Sequence, residues 1–178
     1  MDNAQSGKEE KTMTHNEKTT MAEYGTMTDK AADLFMRGYN CGQAVLLPFA
    51  SRYGINQEQA ARLAAAFGGG IGRQRMTCGT VLSLTLLAGL EEGNAKPDEK
   101  EAQQNCFKVV QRMTEEFKAQ YGSVVCGEIL GLKGFVKALG PAINTPLPEC
   151  YKLRPCALKV RLAAAIFERF LREKEKSK

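Results

Sequence analysis

Apolar residues recur at helical spacing through most of the chain, and no run alternates apolar and polar positions long enough to name a strand. The periodicity therefore predicts helices throughout. The first opens at Thr28 as N-cap, turns Ala31, Leu34 and Phe35 inward and stops at Gly38. A second runs from Asn40-Cys41 to Gly54, kinked or divided at Pro48, which lacks a backbone donor. A third takes Asn56 as cap with Gln59 three residues on, buries Ala60, Leu63, Ala64 and Phe67, and ends at Gly68-Gly69-Gly70. A fourth spans Thr77-Cys78 to Leu90, and Pro97-Asp98 open a fifth. In that fifth helix Ala102, Cys106, Val109, Val110, Met113, Phe117 and Tyr121 form one stripe, closed by Gly122. Ser123 caps a short helix through Leu130, residues 131–154 read as irregular, and Pro155 precedes a final, largely buried helix from Cys156 to Arg172.

The pattern thus predicts an all-α protein, a single bundle of about six to seven helices over residues 27–178. Residues 1–26 carry nearly no branched aliphatics and cannot offset the entropy of ordering, so they read as a disordered tail. The 178 residues suit one domain, and a hydrophobic share of 43% suffices for its core. A net charge of +5 is modest, and Glu173 and Glu175 interrupt the basic C-terminal run, so nucleic acid is not indicated as a partner. No stretch reaches the ~18 apolar residues of a membrane span, and the N-terminus lacks an apolar signal core. Both features point to the cytoplasm, where thiols stay reduced and cysteines serve catalysis, metal binding or packing rather than structural disulfides.

Six cysteines and one histidine then decide the chemistry. His15 lies in the tail, so any site works without imidazole. Cys41 follows Asn40, Cys78 follows Thr77, Cys126 comes soon after Ser123, and Cys156 follows Pro155. All four fall at predicted helix N-termini, where unpaired amides and the helix dipole stabilise a thiolate that serves as nucleophile or metal ligand. Arg73 and Arg75 stand close to Cys78 in sequence and would add to this. The plain alternative is four small apolar residues at helix starts. Cys106 lies on an inward stripe and reads as a core thiol, while Cys150 reads as a resolving partner or an exposed extra. No C-x-x-C occurs. The run Phe67-Gly68-Gly69-Gly70-Ile71-Gly72-Arg73 fits neither dinucleotide nor P-loop signature, and a turn that lets Cys78 approach the other thiols explains it as well.

Several segments together carry a resemblance. They are Gly38-Tyr39-Asn40-Cys41-Gly42-Gln43-Ala44-Val45, the Gly-rich run, Cys78-Gly79, Tyr121-Gly122-Ser123-Val124-Val125-Cys126, and Cys156. In this order the chain, over residues 28–172, resembles the redox-active family named for the pattern C-GCAxxG-C-C. The resemblance implies a helical domain with four characteristic cysteines, here Cys41, Cys78, Cys126 and Cys156, and a redox role; selenocysteine in some relatives favours redox chemistry over packing. Where relatives carry small residues after the Cys-Gly pair, this chain has Thr80 and Ser83, which predicts looser packing of that helix and a less tightly held cofactor.

Three functions follow. In the first, Cys78 is the nucleophile of a thiol–disulfide exchange, resolved by Cys41, Cys126 or Cys156, with an unidentified redox partner or small-molecule substrate. In the second, the four thiolates hold a metal ion such as zinc, or an iron–sulfur cluster. In the third, the protein is a helical scaffold with core cysteines.

Overall fold

A computed structural model describes residues 26–131 and 156–177. The expectations for the tail with His15, for the irregular segment with Cys150 and for Pro155 lie outside these residues. Among the described residues there are seven α-helices: α1 (Thr26–Met36), α2 (Cys41–Leu46), α3 (Gln57–Leu63), α4 (Gly79–Glu92), α5 (Lys100–Tyr121), α6 (Cys126–Ile129) and α7 (Cys156–Lys176). Two 3-10 helices, Leu47–Tyr53 and Ala65–Phe67, continue α2 and α3. No strand occurs among the described residues, and no helix there is long and apolar enough to cross a membrane.

α7 and α2 form the centre. α1 lies along α7, α2 packs on both α4 and α7, and α5 covers the outer side of α4. Phe35, Leu46, Leu84, Leu87, Met113, Phe117, Val160 and Phe167 are fully enclosed where these helices meet. Phe167 stands edge-on to Phe49, ring centroids 5.0 Å apart. Truncating such a ring removes its transfer energy and leaves a cavity, a cost of about 3–5 kcal/mol.

Chain breaks follow local chemistry. Asn40 and Asn56 each form a reciprocal capping box with the Gln three residues on, which starts α2 and α3 where their sequences predict. Pro48 at the head of the Leu47–Tyr53 segment divides the second helix, and Gly54, with φ 68°, ends it in the left-handed conformation.

Some expectations need correction. Thr28 does not cap α1, which starts at Thr26; its buried hydroxyl donates instead to Glu168 Oε2 of α7 at 3.0 Å. Leu63 is 52% exposed, because α3 ends there and the chain tightens into the 3-10 turn. Cys106 is only half-buried: α5 lies at the rim of the bundle, its N-terminal half is incompletely covered, and neighbouring Phe107 is 58% exposed. α4 is not loosely packed. Thr80 and Ser83 are both fully buried, and Ser83 Oγ donates to the Gly42 carbonyl at 2.7 Å.

Candidate thiol site

The N-termini of α2 and α4 meet through their smallest residues. A Cβ on Gly79 would lie 2.5 Å from the Phe67 carbonyl oxygen and 2.7 Å from Cys41 Sγ. Only glycine lets α4 come so close, and this contact, together with the Ser83 bond to α2, brings Cys78 to Cys41. Asn40 anchors the other side: its Nδ2 donates to the Ala65 carbonyl at 2.9 Å, and Gln43 Nε2 donates to Ala61 at 2.9 Å.

The Gly-rich segment is a left-handed turn. Gly69, Gly70, Ile71, Gly72 and Arg73 follow one another with φ between 55° and 74°. Ile71, β-branched at φ 55°, occupies a strained conformation that the surrounding contacts must hold. Its amides are turned inward: Gly72 donates to Ala66, Arg73 to Gly68, Arg75 to Gly69 and Met76 to Gly70. The turn therefore shapes backbone rather than cradling a phosphate through these groups. It also admits Cys126, whose Cβ would lie 2.7 Å from a Cβ on Gly70. Beyond the turn, Thr77 and Val125 form an antiparallel bridge; Cys78 N donates to Val124 O at 2.8 Å and Cys126 N to Met76 O at 2.6 Å. A single pair of extended residues thus ties the start of α4 to the start of α6.

Each of the four cysteines begins a helix. Cys41, Cys126 and Cys156 are the first residues of α2, α6 and α7, and Cys78 is the N-cap of α4. Cys41, Cys78 and Cys126 are buried and Cys156 half-buried. Their helix ends differ in what caps them. At α2, Asn40 Oδ1 accepts from Gly42 N at 2.9 Å and from Gln43 N at 3.0 Å, so those amides are already taken. At α4 no side-chain cap exists, and the amides of Thr80 and Val81 at this open helix start help to lower the Cys78 thiol. Cys78 Sγ also lies 3.1 Å from Thr80 Oγ1.

The two sulfurs therefore share a proton unequally. The hydrogen bond from Cys41 leads in lowering Cys78, burial opposes it, and the Thr80 hydroxyl with the Thr80 and Val81 amides helps, so its thiol falls to about 6. Cys41 moves the other way, raised by that same hydrogen bond and by burial, with the Gly69 amide in partial opposition. The charge belongs to the pair, with Cys78 as thiolate and Cys41 as thiol. Local hydrogen bonds, rather than Arg73 or Arg75, lead this shift.

The cation of the site is one that the sequence reading missed. Lys159, one turn beyond Cys156 on α7, is 2% exposed, and its ammonium lies 4.7 Å from the centre of the Tyr121 ring. Burial lowers it from the ordinary lysine range, opposed by negative charge on Cys156, Cys78 and Cys126. A lone lysine amid Ala157, Leu158 and Val160, three residues after a cysteine, was the available signal.

Among the described residues no group of three or more Cys, His, Asp or Glu is placed to hold a metal ion. A family model described as "Putative redox-active protein (C_GCAxxG_C_C)" matches residues 39–170. No curated protein matches the chain, and no solved structure does.

Proposed function

The chain belongs to the C_GCAxxG_C_C family of redox-active proteins, and from that premise we propose that it is a dithiol redox protein whose working couple is Cys41 and Cys78. The observation that carries this reading is the approach of Cys41 Sγ to the backbone beside Cys78, a Cβ on Gly79 lying 2.7 Å from that sulfur, at an uncapped helix start where the Cys41 thiol lowers Cys78. With a value of about 6, Cys78 is largely thiolate at neutral pH, and the thiolate is the attacking species in exchange. It attacks one sulfur of a disulfide, forming a mixed disulfide as the original S–S bond breaks and the first substrate sulfur leaves. Cys41 then loses its proton to the second substrate sulfur and attacks Cys78 Sγ. The products are a Cys41–Cys78 disulfide and two substrate thiols, two electrons having passed to the substrate.

A metal or cluster would require three or four donors around one point, and the described residues form no such group, so the pair reading is the better supported. A dithiol couple of this kind suits a reducing compartment such as the cytoplasm.

Equilibration of the protein in buffers of graded dithiol/disulfide ratio, followed by peptide mapping, tests the proposal. The expected result is a reversible loss of two thiols with Cys41 and Cys78 recovered as one linked pair. Recovery of both as independent thiols across the whole range would end this reading.

A further inference from the structure

Arginines elsewhere in the fold sit at exposed or half-buried positions and meet carboxylates: Arg52 pairs with Glu91, Arg112 with Glu173, Arg161 with Asp29 and Arg169 with Glu116. Arg75 does the reverse. It is only 9% exposed, and among the described residues no hydrogen-bond or ion-pair partner meets its side chain. A guanidinium is a permanent charge, and burying one without a counter-charge is costly. The backbone nevertheless holds it in place: Arg75 N donates to the Gly69 carbonyl at 3.1 Å, and its own carbonyl accepts from Gly127 N at 3.0 Å. Its φ of 64° lies in the left-handed region, which disfavours a residue with a Cβ. Gln74 and Met76 on either side are exposed, so the segment lies at the surface and the Arg75 side chain is drawn beneath it. Glu128, the residue after Gly127, is exposed and accepts from Ser123 Oγ instead.

We propose that Arg75 is the receptor for the carboxylate of a small-molecule disulfide, which supplies the missing counter-charge and is the substrate class of the adjacent dithiol. The proposal rests on the Cys41–Cys78 reading and adds the group by which a substrate is recognised. Arg75 stands three residues before Cys78, a stretch of chain that spans at most about 10 Å, so one small molecule can place a carboxylate at the first and a sulfur at the second. A carboxylate suits the site better than a phosphate. Phosphate sites gather several free amides, whereas here the amides of Gly72, Arg73, Arg75 and Met76 already donate to backbone carbonyls. What is left is one guanidinium fork, which matches the two oxygens of a carboxylate.

The exchange keeps its balance with the carboxylate held. A bond forms between Cys78 Sγ and one substrate sulfur as the substrate S–S bond breaks, and the departing sulfur takes a proton from solvent. Cys41 then passes its proton to the second substrate sulfur and closes the protein disulfide. Two carboxylate-bearing thiols leave with the two electrons that the protein has lost, and Arg75 changes neither its charge nor its bonds.

The test uses the full chain in its reduced form and two disulfides of similar size, dithiodipropionate with two carboxylates and hydroxyethyl disulfide with none. At pH 7 the parent is expected to reduce the dicarboxylate about tenfold faster. Equal rates, or a faster reaction with the uncharged compound, overturn the proposal without need of a variant. Arg75→Met, which removes the charge and keeps an unbranched stem, is expected to abolish the preference while the urea midpoint of the ligand-free protein stays level or rises, because an unpaired buried charge has gone. A folded variant that keeps the preference contradicts the role of Arg75, and a lowered midpoint with the preference intact marks it as structural. Suberate, in which two methylenes replace the two sulfurs, gives a readout free of redox chemistry. It is expected to raise the urea midpoint of the parent but not of Arg75→Met, with octanediol raising neither; no rise in the parent defeats the receptor role. A rise with suberate in a parent whose Cys41 and Cys78 diamide fails to link defeats the underlying redox reading instead and leaves the anion site standing.

Discussion

The starts of α2 and α4 are built from similar parts and do opposite things. Both carry a cysteine, both are followed by glycine, and the two pack face to face. At α2 a side-chain amide from Asn40 takes the first free N–H groups, leaving Cys41 with the Gly69 amide as its backbone donor. At α4 no side chain caps the start, the Cys78 sulfur lies 3.1 Å from the Thr80 hydroxyl, and the Thr80 and Val81 amides help to lower its thiol. The lesson is that a helix N-terminus stabilises a thiolate only when no better acceptor has taken its donors. The two adjacent thiols are shifted in opposite directions.

The comparison can be broken most strongly at the contact between the two helices. Gly79→Ala puts a methyl 2.5 Å from the Phe67 carbonyl and 2.7 Å from Cys41 Sγ. It is expected to destabilise the fold by about 1–3 kcal/mol in urea unfolding and to suppress Cys41–Cys78 disulfide formation, because the helices must part. Asn40→Ala acts on the cap and costs about 1–2 kcal/mol in the same assay. It also frees the Gly42 and Gln43 amides for Cys41, so pH-resolved alkylation should show Cys41 titrating lower than in the parent. Thr80→Val is the gentlest, removing one hydroxyl from the Cys78 sulfur at a cost of ~1 kcal/mol, with the Cys78 alkylation profile displaced to higher pH.

The same asymmetry shapes stability against pH. Cys78 is depressed in the fold from an ordinary 9.0 to about 6, so its contribution is complete above pH 9, fades as pH falls and is gone below about 6. Cys41 is raised, so its neutral form favours the fold, and that advantage is lost above pH 9 as the unfolded chain ionises. Urea midpoints of the reduced protein are expected to rise from pH 6 towards 9 and to fall beyond it, and a Cys78→Ser variant should lose the rising limb.

What was legible in the sequence was local. The capping boxes at Asn40 and Asn56, the break at Pro48 and the cysteines at helix starts each depend on residues a few positions apart, and each stands where its neighbours dictate. What was not legible depends on distant partners. Thr28 looks like a cap until Glu168 offers its hydroxyl a carboxylate. The stripe on α5 identifies an inward face, but not that its first turns lie at the rim, where Cys106 is half-covered. Arg73 and Arg75 are near Cys78 in sequence, yet local hydrogen bonds lead its shift, and a further buried cation, Lys159, is brought towards the thiols on α7. Thr80 and Ser83 read as departures that loosen α4; in the fold one holds the thiolate and the other ties α4 to α2.

The most direct test of this polarised pair is residue-resolved alkylation of the reduced protein from pH 4 to 10, with the Cys41 and Cys78 peptides quantified separately. The account predicts that Cys78 gains reactivity with a midpoint near 6 while Cys41 stays unreactive until well above its ordinary value of 9.0. Superimposable profiles for the two, both rising only above pH 8, would contradict it.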